Sequence, residues 1–155
     1  MTMHTLSRLA ALVVLCLSLV GAVRPVAAGS DLAGTYYQGR GLGFNNTLEI
    51  AKDGTFHFRW TGCLGTYAES TGTVSRQGNE LVLEAVVRGR REVSRYVAVR
   101  WGDRQYLVPA DELKSFAAEI DRGGEPREGP HGSFYLRDDD WKIPVSGRPD
   151  LPPSG

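Results

Sequence analysis

The chain has 155 residues, of which 41% are hydrophobic and 23% are charged, and its 18 basic side chains balance its 18 acidic ones. This length is sufficient for one domain with a substantial core. The balanced charge argues against a protein that binds nucleic acid, because such proteins need a clear basic surplus.

The N-terminal segment 1–28 has the three parts of a secretory signal peptide. Arg8 precedes an apolar run over 9–20, and Val26 and Ala28 stand three and one places before a predicted cleavage point. The alternative is a membrane anchor, but the apolar run is shorter than the roughly 20 residues that span a bilayer. We therefore expect an exported protein, periplasmic or extracellular, without a membrane span.

Cleavage before Gly29 would leave 127 residues with 16 basic and 18 acidic side chains. It would also remove Cys16, whose acylation as a lipoprotein is disfavoured because the bulky Leu15 precedes it. Cys63 would then be the single cysteine, so an internal disulfide is excluded although export would permit one.

Seven strands are predicted in the first two thirds of the remaining chain. Phe56, Phe58 and Trp60 alternate with polar residues, which is the period of a half-buried strand. Glycine-containing turns separate the apolar runs, for example at Gly78 and Gly102. The predicted strands span 33–38, 45–51, 55–61, 66–76, 80–88, 93–101 and 104–108.

One helix interrupts the strands. Leu113, Phe116, Ala117 and Ile120 recur at helical spacing, which predicts a helix near 111–122. An eighth strand is predicted at 132–137, which would end a barrel domain over 29–137. The segment 138–155, rich in proline and glycine, is predicted to be a tail on the surface or frayed, with its three aspartates at 138–140 in a solvated turn.

This pattern predicts an all-β protein with one short helix. Eight short antiparallel strands joined by tight turns must close or stack to protect their edges. Sequential hairpins favour an up-and-down antiparallel β-barrel, because each strand can pair with its neighbour in sequence.

Two segments resemble signatures of the lipocalin family. In "DLAGTYYQG", Leu32, Gly34, Tyr36 and Tyr37 occupy the places of the first-strand signature, with Tyr36 where the family usually has tryptophan. The chain is also similar to a group of small secreted bacterial proteins that carry "GLG", "DGTF" and "GCLG" patterns.

The second lipocalin signature is matched in "WGDRQYLV" by Asp103 and Tyr106, in the predicted hairpin between the sixth and seventh strands. Arg137 is the candidate for the family's arginine near the end of the eighth strand, which covers the first-strand aromatic residue. The resemblance implies a barrel that these residues close at one end. The helix here precedes the eighth strand, whereas in the family it follows that strand.

The alternation predicts an aromatic and aliphatic lumen in which a ligand would bind. We expect Val97, Val99 and Trp101 to face it, together with Leu81 and its neighbours on the fifth strand. "GRGLGF" and "RGRRE" are candidate rims, and the second would favour an anionic head group. The candidate ligand-binding residues are Phe56, Phe58, Trp60, Trp101, Arg40, Phe44, Arg88 and Arg90.

Cys63 is interpreted as a small buried structural residue, because a free cysteine is among the most buried residue types. The alternative is a reactive thiol paired with His57. A metal site lacks ligand spacing, and no cofactor motif or paired carboxylates are evident, so neither a metal nor a cofactor is expected.

Three functions are compatible with these observations. The first is a non-enzymatic binding protein for a small hydrophobic or amphipathic ligand inside the barrel. The second is an interaction or inhibitor module whose barrel is packed with side chains and whose loops bind a partner protein. The third, ranked last, is an enzyme that uses Cys63.

Overall fold

The computed structural model describes residues 26–27, 30–39, 43–123 and 134–152. Arg40, the predicted cleavage point and His131 lie outside this part of the chain. The strands are β1 Val26–Ala27, β2 Gly34–Gly39, β3 Asn45–Ile50, β4 Thr55–Gly62, β5 Gly65–Gln77, β6 Glu80–Val87, β7 Arg90–Trp101, β8 Arg104–Pro109 and β9 Tyr135–Arg137. Within these described residues the one α-helix is α1, Leu113–Asp121, and short 3-10 helices cover Ser30–Leu32, Ala110–Glu112 and Asp138–Lys142.

Strands β2 to β9 form a closed antiparallel barrel of eight strands. Each strand pairs with the next in sequence, and β9 returns to pair with β2 through Tyr36–Arg137 and Tyr37–Leu136. The predicted up-and-down barrel is therefore confirmed. The two-residue β1 adds to the edge of β5, opposite Ser75 and Arg76.

The predicted hairpin turns form because glycine supplies the left-handed backbone that they need. Gly78 has φ +61° between β5 and β6, and Gly102 has φ +59° between β7 and β8. The turns fix the register of the hairpins, so the alternating side chains reach one face together.

The lumen face carries the main hydrophobic core. Opposing residues in the register share this face, as Tyr36, Leu48 and Phe58 do across β2, β3 and β4. The core lies towards the end of the barrel at which β3, β5 and β7 connect to the strands that follow them. Its buried members are Leu32, Tyr36, Leu48, Ile50, Phe56, Val74, Leu81, Leu83, Ala85, Leu107 and Tyr135.

A second core lies outside the barrel wall, beneath α1. The expectation that Val97, Val99 and Trp101 face the lumen is wrong, because these side chains pack with Phe116 of α1 on the outer face. Tyr96 and Ala98 are the residues of β7 that pack against the lumen core. Since α1 covers the outer face, β7 has apolar side chains on both faces, and alternation does not tell which face is inside.

The helix itself forms where the sequence predicts it, and it buries Phe116 completely. Leu113 and Ile120 pack around the same outer core. Among the helices that the structure describes, none has the length and apolarity that a membrane crossing requires.

The C-terminal segment packs on the barrel as far as it is described. The Asp140 carboxylate accepts a hydrogen bond of 2.6 Å from the backbone N–H of Gln105, and Arg104 donates to the carbonyl of Ile143. The expectation of a solvated turn is wrong for Asp140, which is buried, and holds for its exposed neighbours Asp138 and Asp139. Burial of the Asp140 carboxylate is tolerated because it accepts the hydrogen bond of a backbone N–H at the start of β8.

The antiparallel order sets the two ends of the barrel. We call the end with the connections after β2, β4 and β6 the mouth. The tight turns after β3, β5 and β7 lie at the opposite end, where Arg137 and Tyr36 also meet.

Candidate functional site at the barrel mouth

Three aromatic side chains lie at the mouth, with Trp60 in contact with the other two, and we call Phe44, Trp60 and Tyr67 the mouth aromatics. The ring centroids of Phe44 and Trp60 are 5.6 Å apart, and those of Trp60 and Tyr67 are 5.2 Å apart. All three remain exposed, at 47%, 36% and 48%. Trp60 continues the lumen-facing row of β4 that begins with Phe56 and Phe58, so this apolar surface extends the lumen outward.

The hairpin between β4 and β5 holds the mouth aromatics together. The register between these strands shifts after Trp60, and Gly62 follows. A Cβ on Gly62 would lie 2.4 Å from Cε2 of Tyr67 and 2.5 Å from the carbonyl oxygen of Gly43. Only glycine therefore lets the Tyr67 ring and the chain before Phe44 approach this hairpin so closely.

A polar layer lies next to Trp60, which is the register partner of Asn46, and it comprises Gln38, Asn46, Tyr96 and Tyr135. Asn46 Nδ2 donates a hydrogen bond of 2.8 Å to Oε1 of Gln38. The register that pairs Tyr37 with Leu136 places Tyr135 beside Gln38. The rings of Tyr96 and Tyr135 meet edge to face at 5.8 Å. The lumen thus changes from apolar to polar on the way to the mouth.

Gln38, Asn46 and Tyr135 of the polar layer are buried, Tyr96 is partly buried, and none of the four side chains is charged. Burial raises the pKa of Tyr135 above its ordinary value, Tyr96 adds to the rise, and a hydrogen bond from Asn46 opposes it. Burial likewise raises the pKa of Tyr96. Within the described residues, Oδ1 of Asn46 has no hydrogen-bond partner although the residue is only 8% exposed. Buried carbonyl oxygens are nearly always paired, so this acceptor marks the layer as a place where a ligand can bind.

The candidate ligand-binding residues separate into different places. Phe56 and Phe58 pack in the lumen core, whereas Trp60 and Phe44 lie at the mouth. Trp101 is not in the lumen: its Nε1 donates to the carbonyl of Gly147 at 3.0 Å on the outer face.

The two arginines of the "RGRRE" rim that were expected to contact a ligand are also described. Arg88 and Arg90 are exposed in the hairpin between β6 and β7. Neither has an ion pair in the described part of the chain, whereas their neighbour Arg91 pairs with Glu84. This basic turn is exposed and lies at the mouth end of the barrel, where Arg90 opposes Val87 in the register, and neither arginine belongs to the polar layer.

The lipocalin resemblance implies a set of residues that close one end of the barrel, and the structure places them at the following positions. The Arg137 guanidinium lies over the Tyr36 ring, and Gly34 lies beside it, where a Cβ would be in ordinary van der Waals contact at 3.7 Å from Nε of Arg137. Tyr106 is buried in the outer core against Phe116, and Asp103 is exposed in the turn after β7.

Cys63 is exposed, so the expectation that it is buried is wrong. The tip of the hairpin from β4 to β5 is exposed, and the described residues of the packed core do not include any residue of this tip. His57 lies far along β4, at about 3.3 Å per residue, with Nε2 2.7 Å from a Glu69 carboxylate oxygen. The thiol and this histidine therefore do not form a catalytic pair.

Two of the concavities in the structure are lined entirely by described residues. One of about 640 Å³ lies over β2 to β5, between Thr35, Glu49, His57 and Thr71. Another of about 330 Å³ lies beside Tyr37, Arg137 and Trp141. Within the described ranges, no group of three histidine, cysteine, aspartate or glutamate side chains is arranged to hold a metal ion.

The sequence-based interpretation missed Tyr67 and the polar layer. One signal was present, because Asn46 stands in the inward-facing series of β3 ahead of Leu48 and Ile50, where a polar residue is unexpected. Tyr135 gave no such signal, since its neighbours in the layer come from distant parts of the chain. No protein-family model, curated protein or solved structure matches this chain.

Proposed function

We propose that the protein is an exported, non-enzymatic binding protein with a lipocalin-like barrel that takes a small hydrophobic or amphipathic molecule at its mouth. The observation that carries this proposal is the exposure of the mouth aromatics. Trp60 contacts Phe44 and Tyr67, yet all three remain more than a third exposed at the mouth of the barrel. Contiguous apolar surface of this kind is typical of ligand-binding sites.

The position of the packed core supports a ligand at the mouth rather than deep in the barrel. Tyr36, Leu48 and Leu107 are at most 2% exposed, so side chains already fill the lower lumen. A ligand that covers the mouth aromatics would gain about 0.8 kcal/mol per buried methylene. After the cost of association, a medium alkyl chain would bind with weak to moderate affinity.

Tryptophan fluorescence tests the proposal. Octanoate, 1-octanol and octanamide are titrated into the protein, and at least one is expected to change the emission saturably. Trp60→Phe should abolish the response, because Trp60 is at the mouth. Trp101→Phe is the matched control and should retain the response, because Trp101 lies on the outer face under α1. Flat titrations with all three probes would contradict the proposal.

A second candidate is a protein-interaction module, favoured by the hairpin between β6 and β7. Val86 and Val93 are exposed on this hairpin, and exposed apolar side chains are common in interfaces. Replacement of both by serine should leave the ligand titrations unchanged if the mouth is the functional site. Loss of a co-purifying partner from the double variant would favour the second candidate.

A further inference from the structure

Asn46 lies in the lumen wall beside Trp60, at the mouth end of β3. Trp60, its register partner on β4, is the central ring of the mouth aromatics. On the other side it opposes Gln38 of β2, to which its Nδ2 donates at 2.8 Å. A molecule that covered the lumen side of Trp60 would therefore lie next to the Asn46 side chain.

The atom of Asn46 that would meet such a molecule is an acceptor. Its Oδ1 has no hydrogen bond to any described residue, and the side chain is more than nine-tenths buried. A buried carbonyl oxygen without a partner is unfavourable, since it loses its water without replacement. An O–H or N–H donor on a ligand would restore the missing hydrogen bond.

The level below the polar layer is closed to the ligand. Leu48 follows Asn46 on the lumen face of β3, and Tyr36 and Phe58 flank it in the register. Leu48 and Tyr36 are almost completely buried. The leading group of the ligand must therefore stop at the polar layer, and the remainder must lie against the mouth aromatics.

The polar layer carries no charge to match an ionic group. Gln38 and Asn46 are neutral amides, and burial keeps the phenols of Tyr96 and Tyr135 protonated by raising their pKa. An anion buried here would lose its hydration without an opposite charge beside it. Arg88 and Arg90, which the sequence had suggested for an anionic head group, are exposed on the hairpin between β6 and β7.

We infer that the ligand is a neutral amphiphile, of the alcohol or primary amide class, bound with its polar group inward as a donor to Oδ1 of Asn46 and with its apolar part against Phe44, Trp60 and Tyr67. This inference rests on the proposed function and adds the chemical class and the orientation of the ligand. It reverses the orientation expected for an anionic amphiphile held at an arginine rim.

The test uses four probes with closely matched carbon chains, followed by Trp60 fluorescence. 1-Octanol and heptyl methyl ether are isomers, of which only the alcohol has an O–H donor, while octanamide and octanoate differ in charge. We expect 1-octanol to bind about fivefold or more tightly than the ether, which is the effect of one hydrogen bond. Octanamide should likewise bind more tightly than octanoate by at least that factor.

Asn46→Leu provides the second arm, because leucine has a similar size and no acceptor. In this variant the alcohol and the ether should bind equally, while binding of the ether is retained within about twofold. Circular dichroism checks that the variant folds, and Asn46→Ala, which also has no side-chain acceptor, replaces it if it does not. The comparison of the four probes on the unaltered protein needs no variant.

The titrations distinguish a failure of the inferred ligand class from a failure of the proposed function. Equal binding of the alcohol and the ether to the unaltered protein, or tighter binding of octanoate than of octanamide, would overturn the inference and leave the proposed function standing. Absence of binding by all four probes would overturn both.

Discussion

The guanidinium of Arg137 lies over the ring of Tyr36, 5.7 Å from its centroid. Its Nη2 donates a hydrogen bond of 2.9 Å to the carbonyl oxygen of Asp31 and approaches the Tyr36 hydroxyl at 3.4 Å. That hydroxyl donates in turn to the carbonyl of Leu32 at 3.0 Å. These contacts fasten the last strand of the barrel to the chain that enters β2, at the end opposite the mouth.

Removal of this contact should destabilise the fold. Arg137→Ala loses the hydrogen bond to Asp31 and the interaction with the Tyr36 ring, which together predict a loss of about 1–2 kcal/mol in the free energy of unfolding. Urea denaturation measures the change. Arg95→Ala is the matched control, because Arg95 is exposed and forms a surface ion pair with Glu80, and it should cost less than about 0.5 kcal/mol. Equal losses in both variants would contradict the structural role of Arg137.

Gly72 is required where β5 and β6 approach each other closely. It forms the pair with Ala85 at the end of the register between β5 and β6, and a Cβ there would lie 2.0 Å from the carbonyl oxygen of Glu84. Gly72→Ala should therefore force the strands apart and cost at least about 1–3 kcal/mol. Ser70→Ala, two residues earlier on the same face of β5, serves as control in thermal unfolding and should change stability little. A Gly72→Ala protein as stable as the control would contradict this close approach.

The outer core should be as important for stability as the lumen. Phe116 is completely buried, and its ring lies 5.6 Å from that of Tyr106 and 5.1 Å from that of Phe134. Phe116→Ala should lower the free energy of unfolding by about 3–5 kcal/mol, because it leaves a large cavity. The exposed Lys114→Ala on the same helix should be nearly neutral. If α1 were only loosely attached, chemical denaturation would give similar midpoints for the two variants.

Stability should fall at alkaline pH because of buried tyrosines. Burial raises the pKa of Tyr36, Tyr96 and Tyr135 in the folded protein. In the unfolded chain these phenols lose their protons near pH 10, so a rise in pH above about 10 favours the unfolded state. Below that pH the three phenols are protonated in both states, so their full contribution to the free energy of unfolding is present.

Urea denaturation between pH 8 and pH 11 measures this effect. Tyr135→Phe should reduce the decline above pH 10, because phenylalanine has no proton to lose. A decline of the same steepness in the variant would show that Tyr135 ionises similarly in the folded and unfolded states.

Cys63 should react with thiol reagents in the native protein. It is exposed, and a Cys16→Ser background leaves it as the single thiol. We expect one equivalent of 5,5′-dithiobis(2-nitrobenzoate) to react without denaturant, and Cys63→Ser to change the free energy of unfolding by less than about 0.5 kcal/mol. If labelling required urea, the Cys63 thiol would be buried in the native protein and this prediction would be wrong.

Much of the barrel follows from local patterns. Alternation in "TFHFRW" places β4 within one residue of its observed end, and Gly78 and Gly102 mark the turns that fix neighbouring registers. Such signals are strong because each depends only on residues a few positions apart. They suffice to predict eight strands paired in sequence, and hence an up-and-down barrel.

The tertiary structure decided which face of the barrel wall each alternating series of side chains occupies and which of its residues are buried. Val97 and Trp101 alternate as a lumen-facing series would, yet they face outward because α1 covers β7. Cys63 has apolar neighbours in sequence, yet it is exposed at the tip of the hairpin between β4 and β5. Asp140 is buried because it accepts the hydrogen bond of Gln105, a residue 35 positions earlier in the chain.

The candidate site shows the same division. The sequence alone determined that Trp60 continues the inward row of β4, since period-two alternation fixes relative faces along one strand. Closure of β9 onto β2 is what brings Tyr135 beside Gln38 and Asn46. No local pattern records that meeting, because it depends on the pairing of strands almost a hundred residues apart. The polar layer, and with it the chemistry of the mouth, is therefore a property of the closed barrel.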